Sequence, residues 1–259
     1  MLTMHSLLAG VLVILASMLL SVAGLLIVRR YVSAEWLKRH HELASYYFLM
    51  IGTLYAVLIA FAIYVVWTAF KDAGTNLEHE ATEVADLSRL STAMPDTLRR
   101  NISEALLEYL NAVVQDEFPA MGQRRDSERT WTAVQRLWDA YGSARPDTPR
   151  VQAYFNESLK HLTQLSGLRR TRLFASHGTV PPMLWGLLTV GGVLLISFTY
   201  LVGHESVWSQ AGMTACLAGV LSFCMVLIVS LNSPYSGAAR VTPEPFRLEL
   251  VHVASRMPK

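Results

Sequence analysis

The sequence predicts an all-α integral membrane protein. Four transmembrane helices, in two pairs (2+2), flank a soluble antiparallel helical bundle, and the second span continues as a long helix. Three observations carry this fold class. Apolar residues make up 52% of the 259 residues and charged residues only 16%, whereas a soluble domain is nearer about a quarter charged. Four segments, Ser6–Val28, Tyr46–Phe70, Pro182–Gly203 and Ala211–Leu231, contain no Asp, Glu, Lys or Arg. Between the second and third of these lies a polar stretch whose apolar residues recur at helical spacing.

Each charge-free segment is long enough to span. At about 1.5 Å of rise per residue, a helix of this length crosses a hydrocarbon core of roughly 30 Å. Helix is the expected form, because lipid offers no partner to an exposed backbone N–H or C=O. A single segment could be a buried core helix, but four in one chain argue against that. A cleaved signal peptide is not expected at the start. Met1–His5 carries no Lys or Arg, the apolar run is long, and no clear small-x-small site precedes Arg29.

The chain divides accordingly. Residues 1–70 hold the first helix pair, with spans at 6–28 and 46–70. Residues 71–181 form the soluble helical domain. Residues 182–231 hold the second pair, with spans at 182–203 and 211–231. Residues 232–259 form a Pro-containing tail. Arg29–Ser45 is expected as a short loop and His204–Gln210 as a tight turn.

Within the domain, Lys71–Thr92 has no Pro, and Leu77, Ala81, Val84, Leu87 and Ser91 share one helical face. The second span should therefore run on as one helix, about 70 Å long from Tyr46 to Thr92. A further helix is expected from near Pro95 to Pro119, with Leu98, Ile102, Leu106, Leu110 and Val113 on one side. Another opens after Asp126, carries Trp131, Val134, Leu137, Trp138 and Tyr141, and closes at Gly142. The last opens at Thr148–Pro149, an N-cap followed by a first-turn proline. It carries Val151, Phe155, Leu159, Leu162, Leu165 and Leu168. These stripes are the expected core of a bundle.

Several functions are disfavoured. The two cysteines, Cys216 and Cys224, both fall in the fourth span, so there is no disulfide framework and no thiolate zinc site. Residues 71–181 contain 14 basic and 15 acidic side chains, and that balance argues against a nucleic-acid partner. No phosphate loop, nucleophile elbow or paired catalytic carboxylate is visible, so neither enzymatic activity nor a cofactor is expected. His79 with Glu83, and Glu157 with His161, could each supply two metal ligands at helical spacing. No third and fourth ligand accompanies either pair, so no metal is expected.

The spans carry no ionisable Asp, Glu, Lys or Arg, which weighs against a proton-coupled pump. What they carry is small residues: Gly52, Ala56 and Ala60 in the second, Ser17, Ser21 and Gly24 in the first, Gly191, Gly192 and Gly203 in the third, and Gly212 and Gly219 in the fourth. Such stripes let helices approach closely in lipid. The second span's stripe also admits a pore-wall reading. It continues through Ile63 and Trp67 to Lys71, Gly74 and Glu78, an apolar throat followed by charged positions, and both features select or gate ions in channels. Arg169, Arg170 and Arg172 lie about ten residues before the third span. They are candidates for lipid headgroup contact, against a plain salt-bridged surface.

A resemblance emerges from the longer motifs. Gly52-Thr-Leu-Tyr55-Ala-Val-Leu-Ile-Ala-Phe61, then Trp67, Glu80-Ala81 and Leu87–Leu90, resemble the bestrophin-like family of bacterial membrane proteins. So do Pro181-Pro-Met-Leu-Trp185 and Tyr200-Leu-Val-Gly203. The tail is similar too, with Asn232-Ser-Pro234-Tyr235-Ser-Gly237, Val241-Thr-Pro243 and Phe246. The family pattern Asp-x-Pro-Phe-x-Gly has Asn232 for the acid and Tyr235 for Phe in this chain, so any role of that acid, such as binding a cation, is put in question. The family takes its name from a distant similarity to bestrophins, pentameric anion channels with a two-helix, insertion, two-helix layout. The resemblance implies a homo-oligomer, a pentamer by analogy, conducting ions through a pore lined by the second span. The alternative is a non-conducting scaffold or sensor whose soluble domain binds a partner.

Four spans place both termini and the insertion on one side of a bilayer. Arg29, Arg30, Lys38 and Arg39 favour a cytoplasmic first loop. Lys71, Arg169, Arg170, Arg172 and Arg240 flank the other side, and bestrophins keep their insertion in the cytoplasm. The expectation taken is a multi-pass protein of the cell (inner) membrane with the soluble domain cytoplasmic.

Overall fold

A computed structural model of the chain describes residues 2–202, 206–236 and 239–257. The side chains of residues 2–6, 34 and 38–40 lie outside the described set, as do Gly203 of the third-span stripe and part of the predicted turn. The regular elements among the described residues are all helical. In chain order they are α1 (Leu2–Tyr31), α2 (Ala34–Ser91), α3 (Asp96–Ala112), a π-helical turn (Val113–Glu117), α4 (Phe118–Gly122), α5 (Glu128–Gly142), α6 (Pro149–Ala175), α7 (Pro182–Leu201), α8 (Val207–Leu231) and α9 (Glu244–Ser255).

Local chemistry sets these bounds. α2 runs unbroken for 58 residues, as the absence of proline allows. Arg29–Ser45 is not a loop of that length. It contains no Gly or Pro, so α1 runs on to Tyr31 and α2 restarts at Ala34, with the Trp36 N–H donating to the Ser33 hydroxyl at 3.3 Å. The Thr148 hydroxyl accepts from the Val151 N–H at 3.2 Å, and Pro149 occupies the first turn of α6. Ser127 caps α5 in the same way. The Pro-containing tail is not wholly irregular. Pro245 sits in the first turn of α9, a position proline favours.

Four helical stretches, Leu7–Tyr31, part of His41–Ser91, Pro182–Leu201 and Val207–Leu231, are long and apolar enough to cross a membrane. The chain separates into two compact units. The membrane unit comprises residues 1–68 and 179–232. In it α1 packs on α8, and α7 packs on both. Its outward faces are apolar, with Leu19, Leu20 and Leu54 each 72% exposed. The bundle unit comprises residues 69–178 and 233–259. Its core joins Leu77, Val84, Ile102, Leu106, Leu110, Leu137 and Leu162 to Phe246 and Val253 of α9.

Candidate functional site

The membrane part of α2 has one buried face, made by Tyr55, Ile59, Ala62 and Val66. Ala56, Ile63, Ala60 and Trp67 each follow one of these by a single residue. They therefore lie about 100° further round the helix. Ala56 and Ala60 are exposed, Trp67 is 57% exposed and Ile63 is half-buried. Gly52 differs, because a Cβ built there would meet Leu195 of α7 at 3.5 Å. In the bundle part of α2, Glu78 follows buried Leu77, and both Lys71 and Glu78 are exposed. One chain thus leaves Ala56, Ala60, Trp67, Lys71 and Glu78 uncovered along one continuous helix.

The buried face is held by close approach. The Tyr55 hydroxyl donates to the Leu188 carbonyl of α7 at 2.6 Å. The Tyr55 side chain lies where one on Gly191 or Gly192 would stand: a Cβ built on Gly191 would come within 2.7 Å of the ring, and one on Gly192 within 2.8 Å of the hydroxyl. Gly24 makes the same allowance for Tyr200, and Gly219 for Met18. Ser222 donates to Ser17 at 2.6 Å. Most of these small residues have packing partners inside one chain, whereas Gly212 has none within 4 Å.

Asn232 follows α8. Its side-chain carbonyl accepts from the backbone N–H groups of Thr179 and Val180, at 2.8 and 2.9 Å. That use needs only an acceptor oxygen, which Asn supplies as well as Asp would.

The bundle unit buries a four-member ionic cluster. Arg172 on α6 grips Glu80 of α2 with two nitrogens, Nε to Oε2 at 2.7 Å and Nη2 to Oε1 at 3.0 Å. The same Nη2 donates to Glu117 at 2.6 Å. Arg169, one turn earlier, donates to both Glu117 oxygens through Nε, at 3.1 and 3.3 Å, and through Nη2 to Oε1. The Tyr109 hydroxyl donates to Glu80. Arg172, Glu80 and Glu117 are 0% exposed. Apolar and aromatic groups close the surroundings. Met121 Sδ is 3.0 Å from Arg172 Nη1. Phe118 and Phe246 stand 5.5 and 5.6 Å from the Arg172 guanidinium, and Trp131 5.0 Å from that of Arg169.

Burial alone would lower the Arg172 pKa. The Glu80 and Glu117 carboxylates outweigh it and hold the guanidinium well above its usual range. Burial, then the Glu80 charge, pushes the Tyr109 phenol well up. Two arginines balance two glutamates, and every carboxylate oxygen accepts from Arg or Tyr. No oxygen is left over as a general base. The arrangement is a lock joining α2, the π-turn and α6.

Arg169 and Arg172, read from sequence as headgroup candidates, therefore face Glu117 and Glu80 inside the bundle. Arg170 alone of the three is exposed. The reason is spacing: residues 169 and 172 continue the apolar face of Leu162 and Leu165, and 170 does not. Glu117 and Tyr109 carry no local signal in the sequence. Glu80 was legible in principle, since it sits between Leu77 and Val84 on the core stripe. Glu83 and His161, drawn from the two His–Glu pairs, meet across helices at 2.7 Å. Among the described residues no group of three His, Cys, Asp or Glu is placed to hold a metal ion.

Comparison with known proteins places this architecture. The family model for the Bestrophin-like domain matches residues 15–246. The chain belongs to the Bestrophin-like family. Its fold matches crystal structures of a bacterial bestrophin homologue from Klebsiella pneumoniae. One single-residue variant of that protein is 14% identical with a TM-score of 0.67, over 95% of this chain and 99% of the other. A second variant is 17% identical with a TM-score of 0.65, over the same shares. A third structure, phased by zinc anomalous scattering, is 17% identical with a TM-score of 0.63, over 93% of this chain and 96% of the other. No curated relative matches the chain.

Proposed function

We propose that this Bestrophin-like protein is a homo-oligomeric membrane channel whose α2 helices surround the ion path. The observation that carries the reading is the α2 stripe. Ala56, Ala60, Trp67, Lys71 and Glu78 stand beside the buried face of a 58-residue helix yet are uncovered in one chain. Copies arranged about an axis would bring these positions together, with small and aromatic groups at the constriction and Lys71 and Glu78 beyond it. Family membership supports the same layout, with a pentamer by analogy to bestrophins. We place the protein in the inner membrane with the bundle unit cytoplasmic.

Currents from purified full-length protein in planar bilayers test the reading. Trp67→Ala is expected to raise unitary conductance by widening the throat, and Glu78→Gln to shift the reversal potential in a salt gradient. Silence of the wild type under every gradient, or currents unmoved by both substitutions, would sink it.

A further inference from the structure

A cavity of about 270 Å³ lies within the membrane unit, among α2, α7 and α8. Phe48, Met213 and Leu217 give it an apolar wall, and His41, Thr214 and Gln210 a polar end. The polar end is nearly complete in hydrogen bonds. The Gln210 amide donates to the carbonyls of Thr199 and Val202, both at 2.8 Å, and its oxygen accepts from Arg29 Nε at 3.0 Å. The Thr214 hydroxyl donates to that of Thr199 at 3.2 Å. His41 Nδ1 is the exception, a buried nitrogen with no partner.

Size and setting define the occupant. An apolar cavity of about 150 Å³ accepts a benzene-sized guest, so this one has room for a longer hydrocarbon segment. Its apolar wall comes from charge-free spans whose outer faces are apolar, and His41 opens the apolar part of α2. The hydrocarbon that surrounds such helices is phospholipid acyl chain. We infer that the cavity is a phospholipid site: one acyl chain seats against Phe48, Met213 and Leu217, and the polar group at the head of that chain lies at the end made by His41, Thr214 and Gln210. The inference does not depend on conduction.

Native mass spectrometry of the full-length protein, released from detergent after washing, tests this. The wild type is expected to keep one phospholipid mass per chain. Ser45→Phe, which fills the cavity, should reduce that occupancy about tenfold. His41→Phe should reduce it too, while His41→Gln, which keeps a hydrogen-bonding group, should restore it. Equal retention in all variants, no retained lipid in the wild type, or a free fatty acid in its place would overturn the inference. Should the variants not fold, wild-type protein saturated with phospholipid brominated on its acyl chain and imaged by crystallography or electron cryomicroscopy decides. Bromine density among α2, α7 and α8 supports the site. An empty cavity, or one filled by a second copy of the chain, refutes it.

Discussion

The membrane unit makes close contacts where side chains are missing, while the bundle unit completely buries an arginine, the largest fully buried side chain among the described residues. In the first, Tyr55 fits against Gly191 and Gly192, and Tyr200 against Gly24. In the second, Arg172 is 0% exposed and bonds two carboxylates, Glu80 and Glu117, the latter shared with Arg169. The surroundings explain the contrast. Lipid is as apolar as a leucine side chain, so helices in it gain by close approach and by satisfying the occasional polar group. In water the apolar core itself drives folding, and the bundle can house an ionic cluster provided every charge is matched. Such a cluster adds little net stability, yet it is costly to break from one side.

The largest effect expected follows from breaking it on one side. Arg172→Leu leaves Glu80 without its guanidinium and Glu117 with Arg169 alone, both still buried. The cost should be about 3–5 kcal/mol, read as a drop in the denaturant midpoint of the bundle signal in full-length protein. Adding Glu80→Leu to Arg172→Leu removes charges of opposite sign together and should recover most of that loss. A single variant as stable as the wild type would mean that the carboxylates find water or protons more easily than their 0% exposure implies.

The same contrast sets what the sequence could show. The four spans were legible because a run of some twenty residues without charge is what a hydrocarbon core selects and a water-facing helix cannot keep. The helix boundaries at Ser127, Thr148 and Gly142 were legible because capping is local chemistry. The cluster was not, because its members come from residues 80, 109, 117, 169 and 172, and nothing local pairs them. Arg169 and Arg172 looked like a basic surface run only while Arg170 between them was counted with them. α9 was hidden by the prolines that precede it, although Phe246 and Val253 are helically spaced. The α2 stripe was legible as a pattern, because its four-residue spacing of small residues is local to one helix.

A middle-sized effect should come from the membrane unit. Gly192→Val places a side chain where the Tyr55 hydroxyl lies, 2.8 Å from the built Cβ. Either Tyr55 leaves its bond to the Leu188 carbonyl or α2 and α7 move apart. Overpacking of this sort costs about 1–3 kcal/mol, seen as a lower thermal inactivation temperature in detergent. Tyr55→Phe, which deletes only the hydroxyl bonded to that carbonyl, should cost less, about 0.6 kcal/mol, the mean found for hydrogen bonds between membrane helices. If Tyr55→Phe proves the worse of the two, the hydrogen bond rather than the glycine gap is what fixes α2 on α7.

At neutral pH little is expected of Tyr141, a buried phenol of the bundle that makes no bond to the ionic cluster. It is 1% exposed, and its hydroxyl has no hydrogen-bond partner. Burial pushes its pKa up to about 12, with the nearby Ser158 hydroxyl, short of hydrogen-bonding geometry, opposing the rise slightly. In the unfolded chain the phenol loses its proton near pH 10, whereas the folded chain keeps it to about 12. Between those values the folded state holds more protons, so stability falls as pH rises, by about 1.4 kcal/mol per unit at the steepest. Below about pH 10 both states are protonated and nothing is lost. Tyr141→Phe removes a buried group that lacks a partner and should change stability at pH 7 by less than about 1 kcal/mol. It should also flatten the decline from pH 10 to 12. Tyr109 and Tyr235, whose pKa values burial also raises, would keep part of the alkaline fall. A Tyr141→Phe profile that overlays the wild type across that range would place the whole of it with those two residues.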